Sequence, residues 1–176
     1  MEKLVIHLYQ KIGKQSMMNF SLDDGFIDLS PLPVAALITN NSVDLPSRKS
    51  IIENLKLRPF EILQEHFFIF IKSAFELSVQ LLNIQFNIAI DEEIEEEIDE
   101  AIHQKSIADL LKIINELKNE GIEIFSISFV YQNKKYKMTK YAVAEIDSNW
   151  ESISDQIINT PISIIAGLKK CSAFVR

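Results

Sequence analysis

Hydrophobic residues recur at helical spacing from Ser106 to Gly121. Ser106 with Asp109 three residues later is typical of a capping-box start, and Gly121 after Lys118 is typical of a left-handed C-cap. A single apolar stripe follows from side chains at intervals of three and four, namely Ile107, Leu110, Leu111, Ile114 and Leu117. The pattern predicts a helix over 106–120 with one buried face.

Beyond this helix the sequence changes to strand-forming residues. IEIFSISFVY is dense in β-branched and aromatic residues and has apolar side chains on both faces, which indicates an internal strand. QNKK separates it from YKMTKYAVAEI, so we expect a central hairpin over 122–146 with a four-residue loop. The second strand begins with polar residues, as expected where a strand is wet or lies at a sheet edge.

The N-terminal third gives weaker signals. Residues 3–12 fit a helix and a strand equally well. Asp-Asp-Gly at 23–25 favours a small hairpin between two short apolar runs. The prolines and asparagines of 30–46 indicate a long connection, with one short helical turn at 34–38.

Three further helices are predicted before the Ser106 helix: a short one capped by Ser47 and stopped by Pro59, and two longer ones. Residues 60–82 carry apolar side chains around most of a helical circumference, which predicts a helix through the core. IQFNIAI, which follows, alternates imperfectly and is compatible with a strand. An acidic helix should then begin at Asp91 and end near His103.

These elements define the α+β class. We expect a small antiparallel sheet centred on 122–146, packed on helices at 60–83 and 106–120, with the acidic helix outside. Capping signals at Ser148 and at Thr160 predict two short C-terminal helices. The chain has 176 residues, 47% of them hydrophobic, and no low-complexity tract, which favours one globular domain over 1–176.

Cysteine usage and hydropathy suggest a cytoplasmic protein. Cys171 is the sole cysteine, and the first residues lack the basic start and apolar run of a signal peptide. The most apolar run, HFFIFIKSAFELSVQLL, is interrupted by Lys72 and Glu76 and is shorter than the ~20 residues of a membrane-spanning helix. We therefore expect no membrane association.

Charge is distributed unevenly along the chain. Residues 91–100 hold eight of the 25 acidic residues and no base, while the remaining 17 acids nearly balance 18 bases. The net charge of -7 is therefore carried by this segment. Nucleic acid is not expected at this face because phosphate binding needs a basic surface.

Two interpretations of the acidic segment involve no metal. In one it is only a solvated helix face, with Ile94, Ile98 and Ala101 pointing inward. In the other it docks a basic protein, and the chain is an interaction module such as an inhibitor, immunity, adaptor or chaperone-like protein. The residues assigned to partner binding are Glu92, Glu93, Glu96, Glu97 and Glu100.

A metal site is a third interpretation of the same segment. Glu100 and His103 have the Glu-x-x-His spacing of di-metal helical bundles. The second copy and the two further glutamates of such a site are missing, and the segment lacks the central glycine of a calcium loop. No metal ligand or cofactor is assigned.

Catalysis is the alternative function. The sequence has no nucleophile elbow, phosphate-binding glycine loop, Cys-x-x-Cys pair or His-Glu-x-x-His motif. His7, His66 and His103 could act as acids or bases, and Glu65 beside His66 is the most suggestive pair. A small enzyme would have to assemble a histidine–carboxylate site from distant residues, so no catalytic residue is assigned.

Overall fold

The protein is described by a computed structural model over residues 3–10, 26–28, 34–39, 49, 52–54, 56–59, 61–74 and 76–147. Within these ranges the strands are β1 (Lys3–Gln10), β2 (Phe26–Asp28), β3 (Val34–Thr39), β4 (Arg58–Pro59), β5 (Gln80–Phe86), β6 (Ile124–Tyr131), β7 (Lys134–Thr139) and β8 (Val143–Asp147). The longer helices are α1 (Gln64–Ser73), α2 (Glu92–His103) and α3 (Ile107–Asn119), and residues 49 and 52–54 are also helical, where the sequence predicted a short helix.

All these strands belong to one antiparallel sheet. Its order is β2-β3-β1-β8-β7-β6-β5, with β4 paired to the end of β1. The α+β class is confirmed, but the sheet is larger than predicted because strands from the N-terminal part of the chain join it. Strand β6 lies between β5 and β7, and β7 lies between β6 and β8, so neither is an edge strand.

One face of the sheet forms the core. A row of opposed apolar side chains crosses it from β1 to β5, through Leu4, Ile146, Tyr136, Phe129 and Leu81. A second row runs parallel to the first, through Ile6, Ala144, Met138, Ile127 and Ile84. The helices contribute buried side chains to the same cluster, including Phe67, Phe70, Ile98, Leu110 and Ile114. They therefore cover this face.

The helix predicted over 60–82 is wrong in its second half. Helix α1 ends at Ser73, and the Val79 N–H donates to the Ala74 carbonyl at 2.8 Å. Ser78 adopts a positive φ of 55°, so the chain leaves the helix and enters β5. Apolar residues on all sides of a predicted helix fit a buried strand equally well, which is why periodicity failed here.

The three described segments before residue 40 are strands. Residues 3–10 form β1, which pairs with β3 on one side and with β8 and β4 on the other. Residues 34–39 form β3, so the helical turn predicted at 34–38 is wrong. The turn predicted at 23–25 and the two C-terminal helices lie outside the described residues.

The predicted hairpin differs from the observed one in its turn and its second strand. Gln132 and Asn133 form a two-residue turn with φ of 48° and 61°, instead of a four-residue loop. The second predicted strand is divided into β7 and β8 by a turn in which Ala142 has a φ of 58°. At that turn the Ile62 N–H donates to the Lys140 carbonyl at 2.7 Å, which ties the chain before α1 to the sheet.

Helix α3 ends as predicted and begins differently. Gly121 has a φ of 81°, and the Ile122 N–H donates to the Leu117 carbonyl at 2.9 Å, which is a Schellman-type end. At the start, the Ser106 hydroxyl donates to the Asp109 carboxylate and makes no hydrogen bond to a helix N–H. The side chains of the predicted capping box therefore bond to each other.

Candidate functional site

Helix α2 is anchored along one side only. Ile98 and Ala101 are buried, with 2% and 5% of their surface exposed, and Ile94 packs against the core as a partly buried residue. The helix contacts α3 and the strand β5. These are the inward positions that the sequence predicted, and they fix which side of the helix faces solvent.

The solvent side of α2 is almost entirely acidic. Asp91 and all seven acids of the helix are exposed. We call the five residues predicted to bind a partner the acidic surface: Glu92, Glu93, Glu96, Glu97 and Glu100.

No basic side chain neutralises the acidic surface within the described part of the chain. The ion pairs found there join Lys49 to Glu53 and Lys118 to Glu65. Glu100 accepts a hydrogen bond from the Gln104 side chain at 2.8 Å, which leaves its charge uncompensated. Lys135 and Lys137 of the hairpin between β6 and β7 form no ion pair with α2 among the described residues.

The helix dipole compensates only part of this charge. Glu92, Glu93 and Glu95 lie in the first turn, where the positive end of the dipole stabilises acids. Asp99 and Glu100 lie towards the C-terminal end, where the same dipole disfavours them. Like charges spaced four residues apart also repel one another. The acidic surface is therefore not explained by the stability of α2.

A cavity of about 850 Å³ lies between α2, β5 and the start of α3. Its lining includes an apolar floor, formed by Val79, Leu81, Leu82, Ile102, Ile107 and Leu110. The ionisable residues that border it are Asp99, His103 and Lys105. Apolar surface and the acidic helix thus meet at one place.

Leu82, one of the residues that line the cavity, lies at a β-bulge. The pairing of β5 with β6 passes from Leu81 opposite Phe129 to Asn83 opposite Ser128, so Leu82 has no partner in β6. Its side chain lines the cavity and is only partly buried. Bulges of this kind redirect a side chain and are common beside binding sites.

A smaller cavity of about 430 Å³ lies farther along β5 and is lined by residues 83–90. Glu95 of α2 and Phe125 of β6 also line it. Phe125 is skipped in the pairing of β6 with β5 and packs edge-to-face on Tyr141, with ring centroids 5.9 Å apart. A second bulge therefore shapes this cavity.

Glu65 and His66 do not form the acid–base pair that the sequence suggested. The Glu65 carboxylate pairs with Lys118 at 3.3 Å, and its pKa is lowered by a backbone hydrogen bond first and by Lys118 second. Burial lowers the pKa of His66, and the neighbouring Glu65 opposes that effect. Glu65 thus forms an ion pair between α1 and α3, and His66 is a partly buried residue of α1.

The remaining candidates for chemistry lie apart. His7 is on β1, while Asp99 and His103 both border the larger cavity without a hydrogen bond between them in the described part of the chain. Within the described ranges no group of three or more His, Cys, Asp or Glu residues could hold a metal ion. In the same ranges, no helix is long and apolar enough to cross a membrane.

Sequence reasoning missed the cavity and the role of Leu82. Asp99 was recognised as part of the acidic run but not as a cavity residue. Its spacing of four from His103 was the available signal, since it puts the two side chains on one side of the helix. The bulge at Leu82 leaves no comparable pattern, because it depends on how β5 pairs with β6.

Comparisons with protein-family models, with curated proteins and with solved structures found no match for this chain.

Proposed function

We propose that the protein is an interaction module that docks a basic protein partner on the acidic surface of α2. The observation that carries the proposal is that five glutamates are exposed on a helix anchored from its opposite side, without an ion pair among the described residues. Inhibitor, immunity, adaptor and chaperone-like proteins act through docking of this kind.

The physical basis is electrostatic complementarity. A single-sign surface attracts a partner of opposite charge before contact, and this raises the rate of association more than it slows dissociation. The repulsion among the glutamates is relieved when basic side chains lie between them. Docking of a basic partner would thus explain acidic residues that do not stabilise the fold.

A capture experiment with a matched control tests the proposal. One tagged variant carries Glu92→Gln, Glu96→Gln and Glu100→Gln, which removes three charges from the acidic surface. The control carries Glu61→Gln, Glu76→Gln and Glu120→Gln, which removes three exposed charges elsewhere. Both are compared with the parent for proteins captured from the native host, after circular dichroism has shown that they fold.

The proposal expects a basic protein that the parent and the control capture and that the acidic-surface variant loses. Its recovery should also fall as salt rises, because exposed charges are screened over ~8 Å at physiological ionic strength. Equal recovery by all three proteins would show that the acidic surface is only a solvated helix face.

A further inference from the structure

The larger cavity opens on the flank of α2 that also carries part of the acidic surface. Glu92, Glu96 and Asp99 follow one another at intervals of four and three, so they share one side of the helix. Asp99 is at the same time a cavity residue. A chain segment lying along this flank would meet two carboxylates first and then the cavity.

The cavity has the features of a site for an apolar side chain. Eight of its thirteen lining residues are apolar, and Leu82, at the bulge in β5, is one of them. Burying one large apolar side chain tightens a complex by about tenfold or more before ordering costs. In protein interfaces, a few such buried anchors supply most of the binding energy.

The charges around the cavity favour a positively charged ligand over a negatively charged one. Lys105 and Asp99 border the cavity with opposite charges, and α2 with Asp91 carries seven further acids. An anionic amphiphile such as a fatty acid would therefore be repelled on approach. A basic polypeptide segment with an apolar side chain satisfies both the carboxylates and the apolar floor.

Resting on the proposed function, we infer that the basic partner inserts a large apolar side chain into the cavity lined by Leu82. Its lysine or arginine side chains then pair with Glu92, Glu96 and Asp99. Charge brings the partner to α2, and the anchor determines how long it stays.

Two synthetic peptides test the inference without knowledge of the natural partner. One consists of lysine and alanine, and the other is identical except that one central alanine is replaced by phenylalanine. Their affinities are measured for the parent, for Leu82→Gln and for Ile88→Ser. Ile88 is 56% exposed and borders the smaller cavity, so its variant controls for the loss of an exposed apolar residue.

The phenylalanine peptide should bind the parent about tenfold more tightly than the alanine peptide, or better. Leu82→Gln should abolish this difference and Ile88→Ser should keep it. Ile107→Gln, which changes a second partly buried cavity residue, should act like Leu82→Gln if the cavity is the site. Circular dichroism and thermal melting are recorded for each variant.

The other outcomes separate this inference from the proposed function. Equal binding of both peptides, lost in the triple glutamine variant, would overturn the anchor and leave charge-guided docking intact. A phenylalanine advantage that survives high salt and the triple glutamine variant would overturn the docking of a basic partner. Tight binding of laurate that depends on Leu82, without peptide binding, would identify a small-molecule cavity and overturn the inference.

Discussion

The side chain of Gln64 takes the place of a neighbouring strand for the backbone of Ile124. Its amide nitrogen donates to the Ile124 carbonyl at 3.0 Å, and its amide oxygen accepts from the Ile124 N–H at 2.8 Å. Strand β7 turns away at Lys140, so no backbone pairs with Ile124 on that side. Gln64 therefore joins the start of α1 to the sheet through two buried hydrogen bonds.

Replacing Gln64 with leucine should destabilise the protein. The change leaves the Ile124 N–H and carbonyl buried without partners, at a cost of about 1–3 kcal/mol for each group. Denaturant unfolding should show a lower midpoint. An unchanged midpoint would show that water replaces the amide.

Gln64→Glu provides a pH-dependent control for the same contact. A protonated carboxyl can donate to the Ile124 carbonyl and accept from its N–H, whereas the ionised form cannot donate. The buried contact favours the protonated carboxyl, so its pKa should be higher in the folded state than the unfolded value of about 4.3. The stabilisation is therefore complete below that unfolded pKa and is lost as the pH rises through the pKa of the folded state. The variant should therefore approach the parent's stability only in acid, and a constant difference would refute this assignment.

Phe129 lies at the centre of the aromatic part of the core. Its ring centroid is 4.8 Å from that of Phe70 and 5.1 Å from that of Tyr136, on which it stacks. Phe129→Ala should lower the free energy of unfolding by about 3–5 kcal/mol because a large cavity would remain. Phe125→Ala, on a partly exposed ring, should cost much less, and similar losses for the two would argue against the core described above.

Both α2 and α3 end at a residue with positive φ, where glycine is favoured. Removing the glycine after α3 should destabilise the protein, and introducing one after α2 should stabilise it. Gly121→Ala should cost about 1 kcal/mol, because the residue has a φ of 81° that disfavours a Cβ. Lys105 has a φ of 56° at the equivalent place after α2, so Lys105→Gly should be stabilising by up to about 1 kcal/mol. Thermal melting of both variants checks the pair, and shifts of the same sign would contradict it.

His66 should make stability depend on pH below neutrality. Burial lowers its pKa in the folded state, so folding favours the neutral imidazole. The contribution of His66 to the free energy of unfolding is complete above its unfolded pKa of about 6.5. It is lost as the pH falls through the pKa of His66 in the folded state. His66→Asn should flatten unfolding free energy against pH in this window, and an unaltered slope would assign the dependence to other groups.

Local signals in the sequence were enough for the parts of the fold that depend on one segment. The apolar stripe of α3, the cap at Gly121 and the inward residues of α2 follow from spacing alone. The elements that the sequence did not predict depend on pairing between segments distant in sequence. Residues 3–10 and 34–39 form strands because each pairs with a neighbouring strand of the sheet. The cavity belongs to the second group, since α2, β5 and the start of α3 form it together.

The acidic surface was predicted residue by residue, and its exposure is what the structure adds. The role assigned to it is tested most directly by the association rate of a captured partner as a function of salt. The variant for this measurement carries Glu92→Lys, Glu96→Lys and Glu100→Lys, three positions that repeat at intervals of four along α2.

We expect association with the parent to slow steeply as salt rises, while dissociation changes little. The reversed variant should associate slowly at every salt concentration. A partner that binds the variant as fast as the parent, with a rate indifferent to salt, would contradict docking through the acidic surface.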